Sequence, residues 1–141
     1  MPPIRVLIVD DDPLVIQALA DAIGSCEEFV VAGTAQSGED AIRRIARIRP
    51  GVTLMDVEMP GMGGLEATRK IREVYPDTRV LILTAHGHDH LAGDAAAAGA
   101  HGYLQKTCGL DVIRRSIALV WNGVTLVDST VRSPAAERPQ A

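Results

Sequence analysis

Aromatic residues are scarce in this chain, with one Trp, one Phe and two Tyr in 141 residues. That scarcity argues against a platform of rings for stacking single-stranded bases, and it leaves core packing to Val, Ile, Leu and Ala. Excess positive charge is missing as well. A net charge of -4 and an isoelectric point near 5.5 give the segment no basic face with which to hold DNA phosphates by itself. No apolar run approaches the roughly 20 residues that span a bilayer, and the opening Met1–Val6 (MPPIRV) lacks the apolar region of a signal peptide. Cysteine is limited to Cys26 and Cys108, far apart and in no ligand pattern. That usage is expected of reduced thiols in a cytoplasmic protein without contact with a membrane.

What remains is the composition of an ordinary globular domain, 47% hydrophobic and 23% charged, at a length that suits one core. Short apolar runs alternate with amphipathic stretches. Ile4–Val9 reads as a buried strand, and Asp12-Pro13 after it as an N-cap and first helical residue. That helix is expected to bury Leu14, Ala18, Leu19 and Ala22 before Gly24-Ser25 ends it. Phe29–Ala35 is the second strand, and Ser37 caps a helix with Ala41, Ile42, Ile45 and Ile48 at helical spacing. Val52–Met55 is the third strand, ending at Asp56; a Gly-rich loop, Met59–Gly64, leads into a helix over Leu65–Val74. Arg79–Leu83 ends at Thr84, an Ala-rich helix stops at Gly99, His101–Leu104 precedes Lys106, and Asp111–Trp121 closes the pattern.

Five strands alternating with five helices predict an α/β fold, a doubly wound parallel sheet with right-handed crossovers. Residues 1–127 form the domain, and 128–141, rich in Pro and Ala without periodicity, read as a linker or disordered tail. Ligands of such sheets bind beyond the carboxyl ends of the strands. There the sequence delivers Asp10, Asp11 and Asp12 after strand one, Asp56 after strand three, Thr84 after strand four and Lys106 after strand five. Three like charges in a row repel one another unless a cation sits among them. Carboxylate oxygens suit a hard cation such as Mg2+, and no His or Cys joins the set. Lys106 and Thr84 suit the oxygens of a phosphoryl group, and a carboxylate among them can act as nucleophile. On spacing alone, a solvated acidic rim beside a surface lysine explains the same residues equally well.

The stretches VLIVDDDP, LMDVEMPGMGGLEATRKI, VLILTA and GYLQK resemble, in order and spacing, the receiver domain of two-component response regulators. The match runs from residue 4 to 121 and is closest in kind to the NarL/FixJ subfamily, whose receivers precede a LuxR-type helix-turn-helix. The resemblance implies a flavodoxin-like sheet in the order 2-1-3-4-5 with Asp56 as phosphoryl acceptor. It implies Mg2+ held by Asp11, Asp56 and the backbone carbonyl of Glu58, with Asp10 acting through water. Lys106 is implied to pair with phosphoryl oxygens, while Thr84 and Tyr103 shift on activation. Asp12 falls one place past the acidic pair, in keeping with a cap.

The resemblance further implies a sensor histidine kinase as partner and no turnover of a metabolite. A second copy would use the surface of the fourth helix, fifth strand and fifth helix, or that of the first and fifth helices. DNA contact would belong to an output domain this chain does not contain, so the chain is a fragment of a transcription regulator or a stand-alone receiver. A small Mg2+-dependent phosphatase with an Asp nucleophile is the rival of another class. Thr107 stands where many receivers have proline, leaving the Lys106–Thr107 isomer open, and Gly63 stands where Asp or Asn is frequent. His86, His88 and His90 are spaced as alternate residues that could hold zinc or copper, though an exposed polar loop accounts for them. Arg43, Arg44, Arg47 and Arg49 read as a solvated helix side.

Overall fold

Each apolar run becomes a parallel strand, and each amphipathic stretch a helix that returns across the sheet. The computed structural model describes residues 2–85 and 90–127. In chain order the elements are β1 (Ile4–Val9), α1 (Pro13–Gly24), β2 (Phe29–Ala35), α2 (Gly38–Ile48), β3 (Val52–Asp56), α3 (Gly64–Val74), β4 (Arg79–Thr84), α4 (Leu91–Ala98), β5 (Gly102–Gln105), α5 (Leu110–Trp121) and β6 (Leu126–Val127). The sheet runs β2-β1-β3-β4-β5-β6, all parallel. Its first five strands keep the expected order, and a short sixth is added at the β5 edge.

Alternation along the strands divides the core in two. Leu7, Val9, Met55, Val80 and Ile82 pack with Ala41, Ile45, Ala67, Ile71, Leu91 and Ala95 under α2, α3 and α4. On the other face Val6, Ile8, Leu54, Leu81 and Leu83 pack with Leu19, Ile23, Ile113 and Ile117 from α1 and α5. Both faces are therefore dry, which explains why the central strands read as unbroken apolar runs. Among the polar exceptions, the buried Thr53 and Thr78 hydroxyls pair with each other, 2.9 Å apart.

The caps follow the sequence. Asp12 Oδ1 accepts from the Leu14 N–H at 2.9 Å, and Ser37 Oγ accepts from the Asp40 N–H at 3.0 Å. The buried face of α1 is a correction. Leu19 and Ile23 are buried, with Val15 and Ile16 packed beside them, whereas Leu14 is 75% exposed and Ala18 is also exposed. The stripe Val15-Leu19-Ile23 is spaced at four residues and sets the phase, which rotates Leu14 to the outside. Strand five lies one residue later than the apolar pattern implied, at Gly102–Gln105. The Lys106–Thr107 peptide is trans, no cis bond occurring among the described residues. His86 and His88, and the tail 128–141, lie outside those residues.

Candidate functional site

The three consecutive acids that follow β1 meet three different fates. Asp10 stays in register, its N–H donating to Ala35 O at 3.1 Å, and the residue is only 2% exposed. Its Oδ1 accepts from the Asp12 N–H at 2.9 Å and its Oδ2 from Lys106 Nζ at 2.7 Å. Asp11 turns outward at the rim, and Asp12 caps α1. One row of like charges is thus spread over a buried ion pair, an open ligand and a helix cap.

Asp56 ends β3 and is 4% exposed. Its Oδ1 lies 3.2 Å from Lys106 Nζ, near enough to pair charges. That buried oxygen has no hydrogen-bond partner among the described residues. Burial first, then the neighbouring Asp10 carboxylate, push the Asp56 pKa up to about 6, while Lys106 and the Glu58 backbone N–H pull against them. Burial alone would lower the Lys106 pKa. The hydrogen bond to Asp10 and the two carboxylate charges outweigh it, so the ammonium form is held more firmly than usual.

Carboxylate oxygens from Asp10, Asp11 and Asp56 lie within 4.8 Å of one another. Three hard donors with one lysine set against them leave negative charge in excess, and the buried Asp56 Oδ1 has no hydrogen-bond partner among the described residues. That donor set fits an oxygen-liganded divalent cation.

The remaining expected residues line the same rim. Thr84 is buried at the end of β4, paired across the sheet with Gln105. Tyr103 is buried on β5 beside Ile82 and packs into the core under α4. Glu58 is exposed in the loop after β3. The structure therefore brings Asp10, Asp11, Asp56 and Lys106 together, with Thr84 and Tyr103 on adjoining strands.

Sequence reasoning passed over Gly64. A Cβ there would stand 2.0 Å from the Asp56 carbonyl oxygen, so the loop folds tightly against the Asp56 backbone. The Gly63-Gly64 doublet was the available signal, but either glycine could have been the essential one. A cleft of about 740 Å3 lies elsewhere. It is lined by Ile4, Arg5, Gly51, Tyr75, Asp77 and Trp121 at the amino ends of the strands. Asp11 and Glu58 are exposed at the carboxyl rim, while Asp10 and Asp56 are buried beneath it.

Residues 6–118 match the response regulator receiver domain family. The response regulator GacA of Pseudomonas protegens is 42% identical over 120 residues, covering 85% of this chain and 56% of that protein. UvrY of Escherichia coli is 36% identical over 133 residues, covering 94% and 61%. The chain thus spans about three fifths of the length of these relatives. Among solved structures, a LuxR-family two-component response regulator from an Aurantimonas species superposes with a TM-score of 0.87 at 30% identity, covering 92% of each chain. The signal receiver domain of NarL from Mycobacterium tuberculosis gives 0.83 at 30% identity, covering 87% of this chain and 99% of that one. With its sheet order, its rim of acids and its lysine, the chain belongs to the response regulator receiver domain family, among the GacA/UvrY and LuxR-type members.

Proposed function

We propose that this receiver takes a phosphoryl group onto Asp56 from a sensor histidine kinase and passes the change to an output domain. The observation that carries the reading is the buried Asp56 carboxylate, ion-paired to Lys106 and gathered with Asp10 and Asp11. An Asp56 oxygen attacks the phosphorus of a phosphohistidine in line. A P–O bond forms as the P–N bond breaks, and the electron pair leaves with the imidazole, which takes up a proton. Lys106, already charged and 3.2 Å from Oδ1, follows the incoming phosphoryl oxygens without losing its proton. Thr84 offers a hydroxyl donor to those oxygens, and Tyr103 moves with it, biasing an equilibrium at α4 and β5. Water later hydrolyses the acyl phosphate.

Mg2+ would be held by Asp11, Asp56 and the Glu58 backbone carbonyl, with Asp10 through water, and when bound it neutralises charge on the transferring group. Asp10 is buried and already fixed by Lys106, which suits an indirect role; Asp11, open at the rim, suits a direct one. We read residues 1–127 as the receiver and 128–141 as a linker. The relatives are longer, and one similar structure is of a LuxR-family regulator, which supports a helix-turn-helix output that controls transcription. The protein modifies itself and turns over no metabolite in this reading.

Intact mass after incubation with a small acyl-phosphate donor tests it. A gain of one phosphoryl group that needs Mg2+ and is lost in Asp56→Asn is expected. No gain in folded wild-type protein with Mg2+ present would overturn the reading.

A further inference from the structure

After α5 the chain does not simply leave the domain. Gly123, at φ +95, turns it back toward the sheet. The Val124 N–H donates to Leu119 O at 3.0 Å, and the Leu126 N–H to His101 O at 2.9 Å. β6 then lies parallel to β5, Leu126 beside Gly102 and Val127 beside Tyr103. Gly102 is the seat of this strand. A Cβ on it would stand 2.8 Å from Leu126 O and 2.9 Å from Leu126 Cβ, and the three nearest atoms all belong to Leu126. Any side chain at 102 would push the returning strand off, so the bare Cα is what allows the close approach.

The hold is thin. Among the described residues pairing covers two, Val124 is exposed, and a void of about 50 Å3 remains among Ala92, Ala95, Ala96, Tyr103 and Leu126. A segment with so few buried contacts opens locally at low cost. Yet its seat is on the same four-residue strand that carries Tyr103 and runs into Lys106. Close packing tolerates little displacement, so a small movement of β5 spoils the fit between Gly102 and Leu126.

We propose that Val124–Val127 is a releasable strap, docked on β5 in the resting receiver and loosened when Asp56 is phosphorylated, so that the chain leading onward is freed by the switch. This rests on the phosphoryl-acceptor reading above.

Amide hydrogen exchange of the whole 141-residue chain tests it, with phosphorylation of each sample checked by mass. In wild-type protein the Leu126 amide should exchange at least about tenfold faster after treatment with the acyl-phosphate donor and Mg2+, with Ile8 in β1 unchanged. Gly102→Ala should show fast exchange at Leu126 without the donor while still gaining the phosphoryl group. Leu126→Ser, whose amide can be followed in the same way, serves if Gly102→Ala fails to fold. A mass gain with Leu126 protection unchanged overturns the strap and leaves the acceptor reading standing. Absence of a mass gain in folded protein overturns that reading and the coupling with it, while the variants still report whether the strap docks.

Discussion

Lys106 reaches two buried carboxylates at once, 2.7 Å from Asp10 and 3.2 Å from Asp56. Removing it leaves two acids facing each other with little water to screen them. Because the lysine is itself 25% exposed, the loss falls short of that for a fully buried pair. Lys106→Ala should cost about 1–3 kcal/mol in Mg2+-free urea unfolding. Added Mg2+ should restore part of it; no recovery would argue against a cation among these acids. His101 makes a different wager. Its Nδ1 accepts from the Val80 N–H at 3.1 Å, so that nitrogen must carry no proton. Burial, then Arg72 and Arg79, lower its pKa from the usual 6.5. The unfolded chain therefore takes up this proton more readily than the folded one. The stability His101 contributes is present above pH 6.5 and is lost as pH falls below it toward the folded pKa. His101→Asn should flatten the acid limb of a plot of urea midpoint against pH, and an unchanged limb would show that other groups govern it.

Two glycines show how differently elements depend on a missing side chain. Gly64 opens α3 under the Asp56 carbonyl, where a Cβ at 2.0 Å cannot fit. Gly64→Ala should cost about 2–4 kcal/mol and slow phosphorylation, since the loop after Asp56 must move. Gly93 lies within α4 with nothing inside 4 Å of its Cβ position. Gly93→Ala should gain about 0.5–1 kcal/mol and raise the thermal midpoint. These cases mark the limits of reading elements from sequence. Strands β1, β3 and β4 were legible because both faces are covered, and Asp12 and Ser37 announced their helices because caps are local chemistry. The face of α1 was misjudged at Leu14, since small and large apolar residues surround it and only the sheet decides the phase. Gly64 and the seat at Gly102 depend on approaches between distant backbones, which no local pattern encodes. β6 is two residues long and had no periodicity to offer.

In the molecule as a whole, parallel strands sort function by end. The rim positions of Asp10, Asp11, Asp56, Thr84 and Lys106 were legible in the sequence because each ends or closely follows a strand, and parallel strands place all such positions on one rim. The distances within that rim were not recoverable, nor was the choice of Asp10 over Asp11 as Lys106's partner, which follows from the side-chain direction fixed by β1's register. The opposite rim is built otherwise. Trp121 is the chain's sole tryptophan, its ring against Gly51 and 4.9 Å below the Arg79 guanidinium. Its natural emission therefore reports on the floor of the sheet. Unfolding should change that fluorescence strongly, whereas a Mg2+ titration of the folded protein should leave it nearly flat. Anyone using tryptophan light to follow this receiver would see whether it is folded and remain blind to whether it is loaded.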